Sequence, residues 1–163
     1  MNVHDLNAAR SVTLVTMSIG PQMLAIPATQ LREIIDPLPM TRVPGAGAFA
    51  PWVLNVRGTV VPLADLRIPL GITDPGPNDR PEDARRFMVI EVEIDGDKAT
   101  MAITADMVHE VVTIPLTRIE PVPATMHWPA DYLRGLFKGS DGFVLLPDLS
   151  AIFSAMAQRP SAA

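Results

Sequence analysis

The sequence predicts a mainly β protein built from two small, similar lobes. Three observations carry that expectation. The chain has 163 residues, 17 of them proline and 10 glycine. Proline removes a backbone donor and is poorly tolerated inside helices and central strands, so so many of them cut the chain into short elements. Second, the apolar residues fall in short runs separated by turn-forming residues at close spacing, the pattern of small barrels or sandwiches. Third, the sequence repeats itself.

The repeat is read most easily at an offset of 77. Ala25-Ile26-Pro27-Ala28 falls on Ala102-Ile103-Thr104-Ala105, Glu33 on Glu110, Ile34-Ile35 on Val111-Val112, and Arg57-Gly58 on Arg134-Gly135. Asp65-Leu66 falls on Asp148-Leu149 at an offset of 83, with the extra residues expected in a longer hairpin over 139–142. Each half starts with an apolar strand, over 12–19 and 87–94. A tight turn follows, Gly20-Pro21 in one half and Asp95-Gly96-Asp97 in the other, the second being a hairpin signal. A second strand is expected over 22–26 and 99–104. A branched apolar cluster comes next, over 31–35 and 108–112, and then a Pro-rich connection over 37–51 and 115–129. Each half closes with a strand–turn–strand pair, over 63–70 and 145–153, the segment after Asp148 being a candidate brief helix.

Half-chains of this size are marginal as independent cores, so the lobes are expected to pack on each other around a groove. The first lobe is read as mainly 12–72 and the second as mainly 87–153. Residues 73–86, polar and Pro-rich, read as an exposed, mobile connector. Residues 1–11 and 157–163 read as flexible termini.

Composition excludes several functions. Net charge is −5 with no Lys/Arg run, so no nucleic-acid footprint is visible. The acidity is confined to residues 78–163, which hold eight basic and thirteen acidic side chains. There is no cysteine, which removes disulfides and thiolate metal sites and fits a reducing compartment. No stretch reaches the roughly 20 apolar residues of a membrane span, so the chain reads as soluble and cytoplasmic, without direct membrane insertion.

The search for chemistry returns little. His4, His109 and His127 have no metal-ligand spacing. His109 beside Glu110 is an acid–base pair on paper, better read as exposed residues ending a short element. No Gly-x-Ser-x-Gly elbow is present. Gly45-Ala46-Gly47-Ala48 lacks the Gly-Lys-Ser/Thr of a phosphate loop. The acidic residues of 79–97 read as a solvated face. No catalytic residue, metal or cofactor is expected, and an enzymatic or small-molecule-binding barrel is the least favoured reading.

One block stays unexplained by folding alone: Asn55-Val56-Arg57-Gly58-Thr59-Val60-Val61-Pro62-Leu63-Ala64-Asp65-Leu66. Arg57-Gly58 reads as a hairpin turn in which glycine takes positive φ. Val60, Pro62 and Ala64 share one strand face and Val61 and Leu63 the other. Pro62 suggests an edge strand. Arg57, on a rigid turn beside apolar strands, is either an ordinary solvated arginine or an interface anchor.

This block resembles the signature of CheW-like domains, asparagine–apolar–Arg-Gly followed by two apolar residues, proline and Asp-Leu. Leu31-Arg32-Glu33-Ile34-Ile35, Thr41-Arg42-Val43-Pro44 and Leu145-Leu146-Pro147-Asp148-Leu149 agree with it, and the resemblance covers residues 12–153. It implies two SH3-like five-stranded β-barrels with a pseudo-twofold relation and short helical turns. It also implies a scaffold coupling the cytoplasmic tip of a methyl-accepting chemoreceptor to the regulatory domain of a CheA-like histidine kinase in membrane receptor arrays. A CheW-like regulator of a diverged sensor kinase outside chemotaxis is the alternative. Carried over by position, Leu31, Glu33, Arg57, Met88, Val89 and Ile90 face the receptor. The kinase contact falls to Phe49, Trp52, Val53, Ala124 and Thr125, in the loops over 44–53 and 121–129. Trp52 departs from the pattern, because the family carries glycine five residues before the signature arginine.

Overall fold

The computed structural model describes residues 10–77, 80–125 and 130–157. Eleven strands form two sheets. They are β1 (Ser11–Ile19), β2 (Gln22–Pro27), β3 (Leu31–Ile35), β4 (Thr41–Arg42), β5 (Trp52–Val56), β6 (Thr59–Ala64), β7 (Arg86–Ile94), β8 (Asp97–Ala105), β9 (Met107–Pro115), β10 (Leu133–Gly139) and β11 (Gly142–Pro147). Among the described residues two α-helices are present, α1 (Arg67–Leu70) after β6 and α2 (Leu149–Ala157) after β11. The fold is two SH3-like β subdomains.

The lobes do not follow the halves of the sequence. One sheet runs β10-β11-β2-β1-β9 and the other β3-β7-β8-β6-β5-β4. The first, the flanking lobe, takes its β1–β2 hairpin from the first half and β9, β10 and β11 from the second. The other, the central lobe, is the continuous stretch from β3 to β8. The two orders correspond strand for strand. β7 stands where β1 stands, β8 where β2, β3 where β9, β5 and β6 where β10 and β11. The isolated bridge Glu120↔Leu136 occupies the place of the β4–β5 pair Thr41↔Val53. The division into 12–72 and 87–153 is therefore corrected. Each leading hairpin completes the barrel of the other half, and the chain crosses between lobes after β2 and again after β8.

Burial explains why the exchange is stable. β1 is buried on both faces from Leu14 onward. Leu14 enters the flanking-lobe core with Ala25, Ile114, Phe137, Val144 and Leu146. Val15, Met17 and Ile19 point the other way, into a large core between the lobes shared with Met88, Ile90, Val92, Met101 and Ile103. A third core lies inside the central lobe, around Leu54, Val56, Val61, Leu63 and Phe87. Each fully buried side chain of this kind contributes about 1.5–3 kcal/mol relative to exposure. The lobes thus share their largest core across the interface where the sequence suggested a groove.

The pseudo-twofold relation shows in backbone bonds too. The Asp65 amide donates to Phe49 O and the Asp148 amide to Tyr132 O, both at 2.8 Å. Phe49 and Tyr132 lie 83 apart, as do Asp65 and Asp148. At that offset Arg57-Gly58 corresponds to Ser140-Asp141, not to Arg134-Gly135, which sits inside β10. The extra residues lie before β10, between the Ile119 region and Leu133, and not in the closing hairpin.

Pro62 was expected on an edge. β6 lies inside its sheet, but its parallel ladder to β8 begins only at Leu63, so the missing donor of Pro62 is tolerated. The described residues of 73–86, with Ile72 ahead of them, are tied to the body at several points. Ile72 is buried, Asp74 and Gly76 pack on Gly20, and Arg80 is tied to Asp106 and Gly20.

Candidate functional site

The site is built around the β5–β6 hairpin. The register Val56↔Thr59 leaves Arg57 and Gly58 as a two-residue turn. Both take positive φ, 51° and 84°, as a type I′ turn requires. The equivalent residues of the β7–β8 turn are Asp95 and Gly96, at 52° and 89°. Aspartate tolerates this conformation, whereas arginine there costs of order 1 kcal/mol. The turn is supported by the Asn55 Oδ1, which accepts the Gly58 amide at 2.7 Å. A strained arginine held by its neighbours points to a role for its side chain.

That side chain reaches Glu33. Arg57 Nη2 donates to both carboxylate oxygens, at 2.8 and 2.7 Å. Glu33 lies on β3, at the far edge of the sheet from β5. The sheet must curl for the two to meet, and the pair bridges the β5–β6 turn to β3. It leaves the Arg57 side chain 74% exposed and that of Glu33 24% exposed. Val60 stands beside the turn at 71% exposure, and Ile34, next to Glu33 on β3, is also exposed. Neither was singled out in the sequence; an apolar residue on the outward face of each strand was the available signal. On the same sheet Arg32 pairs with Glu91, whose second oxygen lies 3.7 Å from Lys98 Nζ. The hydrogen bond from Arg32 holds the Glu91 carboxyl below its ordinary range.

The structure sorts the predicted residues. Glu33 and Arg57 are brought together, while Leu31, half-buried on the same strand as Glu33, packs against the core between the lobes. Met88, Val89 and Ile90 are buried on β7, the ladder neighbour of β3, with Met88 and Ile90 in the core between the lobes. Among the residues named for a kinase, Ala124 and Thr125 are exposed and Val53 half-buried. Phe49 is a core residue, its ring edge-on to Phe153 at a centroid distance of 5.1 Å. Its side chain is buried in the core between the lobes. Trp52 is half-buried and packs against the central-lobe core with Leu54 and Val56; its neighbours on the ladder are Arg42 and Leu63.

His109 and Glu110 also meet an unexpected geometry. A bulge opposes both of them to Thr16 alone. The Thr16 hydroxyl donates to Glu110 O and accepts the Glu110 amide, at 2.8 and 3.0 Å. His109 Nε2 lies 2.5 Å from the Ser18 hydroxyl. The bulge turns both side chains toward an open cleft of about 1000 Å³ between β9 and the tip of the β10–β11 hairpin. Among the described residues no three His, Cys, Asp or Glu side chains are placed to hold a metal ion. His4 and His127 lie outside the described residues, and no described helix is long and apolar enough to cross a membrane.

The sequence and the paired barrels match a known family. The CheW-like domain profile matches residues 13–157. The chain belongs to the CheW-like family. It is 30% identical over 128 residues to the chemotaxis protein CheW of Helicobacter pylori, covering 78% of this chain and 73% of that one. It is 26% identical over 142 residues to a probable chemotaxis protein CheW of Rhizobium etli, covering 86% of each. The crystal structure of the scaffolding protein TtCheW from Thermoanaerobacter tengcongensis superposes with a TM-score of 0.73, at 24% identity over 88% of each chain. That superposition supports the fold, two SH3-like lobes, and the family supports a chemotaxis adaptor.

Proposed function

We propose that this CheW-like chain is a non-catalytic scaffold that couples the cytoplasmic tip of methyl-accepting chemoreceptors to the regulatory domain of a CheA-like histidine kinase. It works in the cytoplasm, held at receptor arrays through these partners. The observation that carries the receptor side is Arg57, kept in a left-handed turn and aimed at Glu33 beside exposed Val60 and Ile34. A receptor tip is helical, and a helix docks through apolar anchors spaced along one face. Val60, Ile34 and Leu31 offer such contacts, while Glu33 and Arg57 fix register and steer approach. For the kinase side, Ala124 and Thr125 are exposed in the excursion before β10 and Val53 is half-buried on β5. Phe49 and Trp52 shape the β5 surface from beneath.

The test is binding of a chemoreceptor cytoplasmic fragment to the purified chain. Arg57→Ala is expected to weaken it about 30-fold, the loss of a residue worth about 2 kcal/mol at an interface. Unchanged affinity in a folded Arg57→Ala protein removes the site.

A further inference from the structure

The two lobes are joined by the chain at two crossings, and one of them is a single residue. β8 ends at Ala105 in the central lobe and β9 starts at Met107 in the flanking lobe. Asp106 stands between them. Its amide donates to Ser18 O at 2.9 Å. Its carboxylate gathers groups from three other segments. Asp106 Oδ2 accepts the Gly20 amide of the β1–β2 turn at 2.8 Å. It accepts Arg67 Nη2 of α1 at 2.6 Å and Arg80 Nη1 at 3.3 Å. Arg80 Nη2 then donates to Gly20 O at 2.7 Å. Gly20 belongs to the flanking lobe, and Arg67 and Arg80 to the excursion between β6 and β7 of the central lobe.

The backbone follows the ions. A side chain at Gly20 would put its Cβ 2.6 Å from Asp74 O, and one at Gly76 would meet Gly20 O at 2.6 Å. Two glycines therefore let residues 72–77 lie flat on the neighbouring lobe's turn, where φ is also positive at both. The polar stretch is a strap across the lobe boundary. Beyond Ile72 it buries little: residues 73–75 and Pro77 are exposed. What holds it is the charge cluster, whose side chains are only 14% (Asp106), 26% (Arg67) and 18% (Arg80) exposed. Charge-assisted bonds to a partly buried carboxylate are the stronger kind.

We propose that Asp106, Arg67 and Arg80 form an inter-lobe latch that sets the angle between the two lobes and releases by detaching the strap without unfolding either lobe. Asp106 is the positioning residue: it acts through the Gly20 turn and the strap, on the crossing that serves as the hinge. The shared apolar core keeps the lobes together when the latch opens, so opening changes their angle rather than separating them. This inference is independent of which partners the chain binds.

The chain lacks cysteine, so Thr59→Cys in the central lobe and Ser140→Cys in the flanking lobe accept a pair of spin labels. Inter-label distances are measured by pulsed electron resonance with Asp106 intact, in Asp106→Asn and in Arg80→Ala. The latch predicts a narrow distribution in the intact protein, widened about twofold in both variants. It also predicts that hydrogen exchange at the Gly20 amide and over residues 72–76 rises about tenfold while the β7–β8 amides keep their protection. If Asp106→Asn does not fold, Arg80→Ala, which leaves the Asp106–Arg67 pair in place, decides alone. Folded variants with an unchanged distance distribution overturn the latch. So does a loss of protection throughout both lobes together, which marks the cluster as a plain contributor to global stability.

Discussion

The two lobes clasp each other by unequal chemistry. Both clasps bury apolar residues in the shared core, Leu66, Leu70 and Ile72 on one side and Leu149, Ile152 and Phe153 on the other, and only one adds a charge cluster. After β6 the central lobe sends α1 and the strap onto the β1–β2 turn of the flanking lobe, and the contact ends in Asp106, Arg67 and Arg80. After β11 the flanking lobe sends α2 onto the central lobe, and the contact is apolar. Leu149, Ile152 and Phe153 are buried, and Phe153 meets Phe49 edge-on. Ser154 adds one hydrogen bond, accepting the Asp95 amide of the β7–β8 turn at 3.3 Å. Equivalent positions in a duplicated fold thus carry different tasks. The apolar clasp supplies cohesion, which is additive and non-directional. The ionic clasp supplies geometry, because its bonds have direction and are lost one at a time.

Removing the apolar clasp therefore has the largest effect. Phe153→Ala is expected to cost about 3–5 kcal/mol, as for other buried aromatics, read as a lower denaturant midpoint for both lobes at once. Two separate transitions, one per lobe, would contradict a shared core.

The second contrast is between Trp52 and Gly135, which lie 83 apart on β5 and β10. A Cβ at Gly135 would meet Glu120 O at 2.6 Å and Ile119 at 2.9 Å. In the flanking lobe the bridge Glu120↔Leu136 presses the preceding chain onto this point. In the central lobe β4 stands in that place, paired through Arg42, and Trp52 turns into the core. One barrel is closed by backbone approach and the other by an indole. Gly135→Ala is expected to cost about 3 kcal/mol, because backbone must move to admit a methyl group. Trp52→Gly is expected to cost less, about 2 kcal/mol, since the ring is only half-buried and can be partly replaced by water. Urea midpoints of the two variants check the order, and the reverse order would refute the assignment of glycine to close approach.

The smallest effect on stability is expected at the β5–β6 hairpin. Arg57-Gly58 and Asp95-Gly96 close two turns of the central lobe, but only the first puts a long side chain at positive φ. In Arg57→Gly the relieved strain offsets the greater freedom of the unfolded chain. Stability should stay within about 0.5 kcal/mol by thermal unfolding, while binding of the receptor fragment falls as it does in Arg57→Ala. A loss of stability well beyond that would make the tie to Glu33 a structural strut instead.

Much of this was legible in the residues. The β class, the repeat, the hairpin at Asp95-Gly96 and the turn at Arg57-Gly58 follow from local rules, in which side-chain period and backbone freedom belong to neighbouring residues. Arg57 was marked by the resemblance of the block from Asn55 to Leu66 to the family signature, local rules alone leaving it either a solvated arginine or an interface anchor. The tie from Arg57 to Glu33 was not legible, because the two meet only when a whole sheet curls. Nor was the burial of Met88, Val89, Ile90 and Phe49, which read alike as exposed strand face or core until a covering element is placed. The bulge that turns His109 and Glu110 to one side leaves no mark in either residue.

The sequence by itself determined what kinds of strand the chain makes and that it makes each kind twice. It could not say which hairpin completes which barrel. β1–β2 and β7–β8 carry the same apolar alternation and fit the same place in the same strand order, so a lobe closed by its own hairpin and one closed by the other's satisfy every local rule equally. The choice was made by the tertiary structure. The exchange buries both faces of β1, draws the two lobes onto one core and brings the strap across to Asp106, and those gains exist only when the whole chain is folded.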